Sequence, residues 1–138
     1  MEAVGEWLAH ARALIFDCDG TLVDSGPIYA DAWAAGFRLS GLEMSPARYR
    51  ERKGMSEHVL LEAFERDHNV IVDRSAVVAH VRQTYLNSAH SLKEIEAVAA
   101  IARRNHGRIP LAVASGGPRS IVVPTLCACG LDGLFDVV

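Results

Sequence analysis

Three aspartates, Asp17, Asp19 and Asp24, fall within eight residues directly behind the apolar run Ala13-Leu14-Ile15-Phe16. Two carboxylates as near in sequence as Asp17 and Asp19 do not both ionise easily unless something compensates their charge. A divalent cation is the simplest compensation, and an all-oxygen donor set favours Mg²⁺. Gly20 lets the backbone turn sharply, so that successive amides can face inward as a nest for an anion. Mg²⁺, backbone amides and a serine hydroxyl, here Ser115, together suit a phosphoryl group. One aspartate then attacks phosphorus while the other exchanges a proton with the leaving oxygen. Asp-x-Asp-Gly also occurs as a plain turn stabilised by Asp side chains, and the four residues alone leave both readings open.

Residues of this kind collect where parallel strands end, and the chain has the elements to put them there. Ala13–Phe16 is a short continuous apolar run, the pattern of a strand buried on both faces. Ile109–Ala114 is a second such run and leads straight into Ser115-Gly116-Gly117. Leu134–Val138 is a third candidate. Glu94–His106 predicts an amphipathic helix, with Ile95, Val98, Ala99 and Ala102 on one face and Gly107 as its C-terminal cap. Pro118–Cys129 predicts another, with Pro124 inside it, so a kink or a start delayed to Pro124 is expected. A helix feeding a buried strand is half of a βαβ unit, which makes the outer parts of the chain a doubly wound α/β core.

Between Pro27 and about His90 the pattern is helical throughout. Pro27 and Ser45-Pro46 are start signals and Gly54 a stop. Ser56 caps a helix to about Asp67 with Val59, Leu60, Ala63 and Phe64 on its apolar face. Asp73 caps one bearing Val77, Val78, Val81 and Tyr85. The expected organisation is an α/β core from residues 1–25 and 91–138, interrupted by an all-helical insert, 26–90.

Bulk properties bound the partners. The chain has 138 residues, half of them hydrophobic, and a formal charge of -3. That suits a soluble globular domain with no general attraction for nucleic acid or anionic membrane. No apolar stretch is long enough to span a bilayer. The N-terminus, with Glu2 and Glu6, does not read as a signal peptide, so a cytoplasmic enzyme or binding module is expected. The three cysteines, Cys18, Cys127 and Cys129, do not form a disulfide framework. The Cys127-x-Cys129 pair is half a metal site without a second half, or simply two small residues.

The string Asp17-Cys18-Asp19-Gly20-Thr21-Leu22-Val23-Asp24-Ser25 resembles the first motif of the haloacid dehalogenase superfamily, in its phosphatase and phosphomutase branch. Ala112-Val113-Ala114-Ser115-Gly116 resembles the second motif, and the helical insert is similar to the family's cap in place and type. The resemblance implies a Rossmann-like parallel sheet and Mg²⁺-dependent hydrolysis of a small phosphorylated metabolite, through an aspartyl-phosphate. It implies Asp17 as nucleophile and metal ligand, and Asp19 as general acid and base with its backbone carbonyl on the metal. Ser115 and the Gly116 amide bind phosphoryl oxygens, Gly20 and Thr21 shape the loop, and Asp24 braces it. Lys53-Gly54-Met55-Ser56 matches a cap loop that reaches the substrate, so Lys53 and Ser56 are implied as substrate-binding; a solvated helix end is the other reading of Lys53.

The departures are as informative. Tyr29 stands where β-phosphoglucomutase-like relatives carry a histidine, and Glu57 where they carry a phosphate-binding arginine. Both favour hydrolysis over mutase chemistry. After Ser115 there is no lysine, and the only acids are Asp132 and Asp136, so the family's third-motif lysine and fourth-motif metal ligands have no counterpart. The family's two further strands are missing as well, which leaves Leu14-Ile15-Phe16 as an open edge available for self-association. The expectation is a fragment, a shortened product, or a chain completed by something else. A non-catalytic relative that binds phosphorylated ligands or a protein is the alternative.

Overall fold

The computed structural model describes residue 5 and residues 8–138; Glu2 and Glu6 lie outside the described residues. The chain divides into two compact units, one of residues up to Val23 together with Lys93–Val138, the other Asp24–Leu92.

The first unit is an α/β layer. Strand β1 (Leu14–Phe16) and strand β2 (Leu111–Val113) run parallel, with Leu14, Ile15 and Phe16 level with Leu111, Ala112 and Val113. The ladder continues past both strands, because Ala114 N–H donates to Phe16 O at 2.8 Å. Leu134–Val138 does not form a full third strand. Asp132–Leu134 is a 3-10 turn, and the pairing reduces to a parallel bridge between Ala112 and Val137. That short contact is held by Val113 N–H on Val137 O at 2.9 Å and by Asp136 N–H on Leu111 O at 2.8 Å.

β1 departs from the expected burial on both faces. Phe16 is buried and packs edge-on against Phe135, but Ile15 is 73% exposed. Among the described residues β2 is the only strand paired with β1, so the opposite edge stands open.

The expected helix at Glu94 begins two residues later, as Glu96–Asn105, and has a physical reason to do so. Val23 pairs with Glu94, and Ile95 N–H donates to Leu22 O at 2.8 Å, which holds both residues extended before the helix. This tie brings the two chain crossings of the unit side by side. Ala99 and Ala102 of that helix are fully buried, and Gly107 follows at φ 73° as the left-handed residue that ends it. Arg119–Ala128 forms one helix with Pro124 inside, and its start is not delayed to the proline. Proline removes the hydrogen bond to the carbonyl four residues back, which belongs to exposed Ser120, where water can replace it.

The second unit is all-helical: α1 (Gly26–Arg38), α2 (Pro46–Glu51), α3 (Glu57–His68) and α4 (Arg74–Asn87). Local signals account for the starts. Ser45, Ser56 and Asp73 each accept a backbone N–H from three residues on, and so cap α2, α3 and α4. Packing settles the faces. Val77, Val81 and Tyr85 are buried as their spacing predicts, whereas α3 buries Leu60, Leu61 and Phe64 and leaves Val59 45% exposed. Phe37 stacks on Phe64 with centroids 3.5 Å apart, and Phe64 on His68 at 4.1 Å. α1 and α4 meet at Gly36, where a β-carbon would stand 2.5 Å from Val81 Cγ2. No helix among the described residues is long and apolar enough to cross a membrane.

Candidate active site

The period of two along β1 extends into the loop. Phe16 and Cys18 turn inward, while Asp17 is exposed and Asp19 half-buried, so the two carboxylates leave the strand on the side away from the core. Cys18 is completely buried, and its thiol is pushed up to about 12, first by burial and then by the neighbouring charges of Asp19 and Asp17. It is therefore a neutral packing group that anchors the loop between the two aspartates, not a reactive thiol.

Gly20 sits at φ 76°, the left-handed conformation that makes the turn possible. The turn closes on itself. Gly20 N–H donates to Val23 O at 2.7 Å, and the amides of Thr21, Leu22 and Val23 all converge on Cys18 O at 3.2, 2.9 and 3.1 Å. These amides are occupied within the loop, so the anion nest expected at Gly20 and Thr21 is not built from them. Thr21 acts through its side chain instead: its hydroxyl donates to Asp17 Oδ2 at 3.1 Å.

Ser115 follows β2 as Asp17 follows β1, and the parallel register puts both at the carboxyl ends of neighbouring strands. Gly117 N–H donates to Ser115 Oγ at 3.1 Å. A β-carbon built on Gly117 would lie 3.5 Å from Ser115 Oγ and 3.9 Å from Asp19 Oδ2, so hydroxyl and carboxylate both border the space a side chain there would fill. Gly116 has open space where a side chain would be. The convergence on Gly117 was not anticipated from the sequence, although the doubled glycine after Ser115 is its visible trace.

The later acids do not join this group. Asp136 Oδ2 accepts Leu111 N–H at 2.9 Å, at the amino end of β2, opposite to Ser115. Asp132 lies beside Cys127, whose thiol is raised by burial and by that carboxylate. Among the described residues no set of three or more His, Cys, Asp or Glu side chains could hold a metal ion, so the Cys127-x-Cys129 pair forms no metal site of that kind. The donors that Asp17 and Asp19 offer are oxygens only, and the nearest sulfur is a buried neutral thiol. In kind they fit Mg²⁺, supplying part of its usual coordination.

The remaining residues belong to the helical unit. Asp24 Oδ1 and Lys53 Nζ lie 4.0 and 3.7 Å from where a β-carbon on Gly26 would stand. Lys53 is exposed and is followed by Gly54 at φ 91°. Ser56 Oγ accepts Val59 N–H at 3.4 Å, so its oxygen caps α3. Glu57 is not a bare carboxylate: Arg82 grips it through Nε at 3.1 Å and Nη2 at 2.7 Å. The charge of Glu57 is accordingly balanced by its paired cation. Tyr29 stacks on Tyr85 with ring centroids 4.2 Å apart.

Residues 11–138 match the haloacid dehalogenase-like hydrolase family, and the chain belongs to it. Fructose-1-phosphate phosphatase YqaB from Escherichia coli is 29% identical over 129 residues, covering 91% of this chain and 66% of that protein. 6-Phosphogluconate phosphatase from the same organism is 29% identical over 115 residues, 82% of this chain and 51% of the relative. A solved hydrolase from Pseudomonas syringae superposes with a TM-score of 0.79 at 22% identity, over 93% of this chain and 61% of the other. The fold is thus the family's Rossmann-like parallel sheet with a helical cap. The chain spans roughly half to two thirds of the length of these relatives.

Proposed function

We propose that this chain carries the nucleophile and phosphate-binding half of a Mg²⁺-dependent phosphomonoester hydrolase acting on a small sugar phosphate-like metabolite in the cytoplasm. The observation that carries it is the grouping of Asp17, Asp19 and Ser115 at the carboxyl ends of paired parallel strands. The names of the two Escherichia coli relatives support the substrate class.

In this mechanism Thr21 holds one oxygen of Asp17, and the other attacks phosphorus to form an aspartyl-phosphate. Asp19 gives its proton to the departing alkoxide, then takes one from the water that hydrolyses the acyl phosphate. Ser115 and the Gly116 amide hold the phosphoryl oxygens through the transfer. Mg²⁺, held by Asp17 and by the Asp19 backbone carbonyl, would supply positive charge against those oxygens. Lys53 is a cation for the substrate's polar remainder, while Ser56 serves mainly as a helix cap.

The test is phosphate release from fructose-1-phosphate and 6-phosphogluconate by the chain and by Asp17→Asn. Activity in the first and none in the second is expected; equal residual release in both would remove Asp17 from the mechanism. A second reading, a phospholigand-binding relative without turnover, is favoured by one observation: the late acid Asp136 is engaged at the amino end of β2, opposite to Ser115. Phosphomutase chemistry is the less favoured enzymatic alternative, since a tyrosine already stacked on Tyr85 stands at the histidine position.

A further inference from the structure

The packing of α3 leaves one of its faces bare. Leu60, Leu61 and Phe64 turn into the helical core, whereas Val59, Glu62 and Arg66 follow one another at i, i+3 and i+7 on the opposite side. Val59 is 45% exposed, as is Met55 just before the helix, and Ile71 just after it is 95% exposed. Three of the six exposed large hydrophobics among the described residues are therefore gathered along one helix. Scattered apolar residues on a surface need no partner, but a gathered set marks a contact face.

The same face is self-complementary. After Arg66 the chain turns at Asn69, φ 52°, and leaves an open groove of about 720 Å³ lined by Glu62, Glu65, Arg66, Asn69, Val70 and Ile71. Arg74 Nη2 meets Glu65 Oε2 at 2.6 Å, so that acid is matched within the unit. Glu62 is half-exposed and meets the imidazole of His58 at 2.9 Å. Arg66 is exposed and takes part in none of the ion pairs among the described residues. Two copies of α3 laid antiparallel, about a two-fold axis level with Phe64, set Glu62 opposite the partner's Arg66 and Arg66 opposite the partner's Glu62. That register also carries Val59 over the turn that bears the partner's Val70 and Ile71. Reciprocal contacts of this kind are what a two-fold interface requires.

We propose that the outer face of α3 docks a second copy of this chain, as a symmetric dimer with Val59 in the partner's groove and reciprocal Glu62–Arg66 pairs. Val59, Glu62, Arg66 and Ile71 have no part in the phosphoryl chemistry proposed above, so the dimer stands or falls separately from it.

Sedimentation equilibrium of the full chain, from about 10 µM to about 1 mM, measures the association and spans the weak range expected of a small interface. A monomer–dimer equilibrium is expected. Ile71→Lys, Glu62→Arg and Arg66→Glu, all at exposed positions, should each weaken it at least about tenfold, because the two-fold axis makes every substitution act twice. Combining Glu62→Arg with Arg66→Glu exchanges the two charges and should restore association to within about threefold of the parent. A chain that stays monomeric throughout overturns the proposal, as does a dimer indifferent to these substitutions. In the latter case, loss of association in Ile15→Lys would assign the contact to the open edge of β1 instead.

Discussion

The contact between α1 and α4 permits a sharp prediction, Gly36→Ala. Alanine is the better helix former by about 1 kcal/mol, so on propensity alone the substitution should stabilise α1. The packing argues the other way. The new methyl would stand 2.5 Å from Val81 Cγ2 and 3.3 Å from both Val77 Cγ1 and the Val77 carbonyl oxygen. Val81 and Val77 are each 1% exposed, so neither side chain has free space to move into. The carbonyl belongs to the backbone of α4, and relief there requires the helices to separate. Overpacking of this kind costs about 1–3 kcal/mol, and a contact this short belongs in the upper half of that range. After the propensity gain the net loss is about 1–2 kcal/mol, or roughly 3–7 °C in unfolding midpoint for a chain of this size. Urea and thermal unfolding measure it. Adding Val81→Ala removes the opposing methyl, and the pair should show a favourable coupling of about 1 kcal/mol. A Gly36→Ala protein as stable as the parent would refute the close-approach argument.

Other outcomes follow from the same chemistry. Thr21→Val removes the hydroxyl that donates to Asp17 Oδ2; stability should change by less than about 1 kcal/mol while phosphate release falls at least severalfold. Hydrogen bonds from Arg74, Arg52 and Arg103 hold Glu65, Asp67 and Glu94 below the ordinary carboxylate range. Their contribution is therefore fully present above the unfolded carboxylate values and is lost as pH falls through the lowered folded ones, which acid titration of the unfolding midpoint should show. Cys18 has the opposite sign. Its thiol is raised from 9.0 to about 12, so its contribution is complete below pH 9 and declines as pH rises through the folded value. Iodoacetamide at neutral pH should accordingly label exposed Cys127 well before buried Cys18; equal labelling would contradict the buried anchor.

Much of the fold could be read from local chemistry. Ser45, Ser56 and Asp73 have short side chains whose oxygens accept the free N–H groups at helix starts, and each caps where its sequence context predicts. The two apolar runs ahead of Asp17 and Ser115 became the paired strands that set the site. What failed depended on partners distant in sequence. The start of Glu96–Asn105 was displaced because Glu94 and Ile95 are held by Val23 and Leu22. Val59 and Leu61 lie two residues apart and so on different sides of α3, and only packing decides which is buried. The face of Ile15 depends on whether a neighbour covers that edge, which its own run of residues does not encode. Within the candidate site, the residue types at Asp17, Asp19 and Ser115 are what suggest the proposed chemistry. The amides of Gly20 and Thr21 could not be assigned that way, since their acceptors, Val23 O and Cys18 O, exist only once the loop closes. The same holds for Glu57, whose carboxylate is matched by Arg82 from another helix.

The proposed mechanism depends above all on Asp17 as the nucleophile of a phosphoryl-transfer site. Its most direct test is to quench the chain with acid after incubation with Mg²⁺ and a phosphorylated sugar, then map the trapped phosphoryl group by mass spectrometry. One added phosphoryl group is expected on the peptide containing Asp17, lost in Asp17→Asn and accumulating in Asp19→Asn when an activated aryl phosphate supplies the leaving group. A phosphoryl group on any other residue, or its persistence in Asp17→Asn, would contradict it.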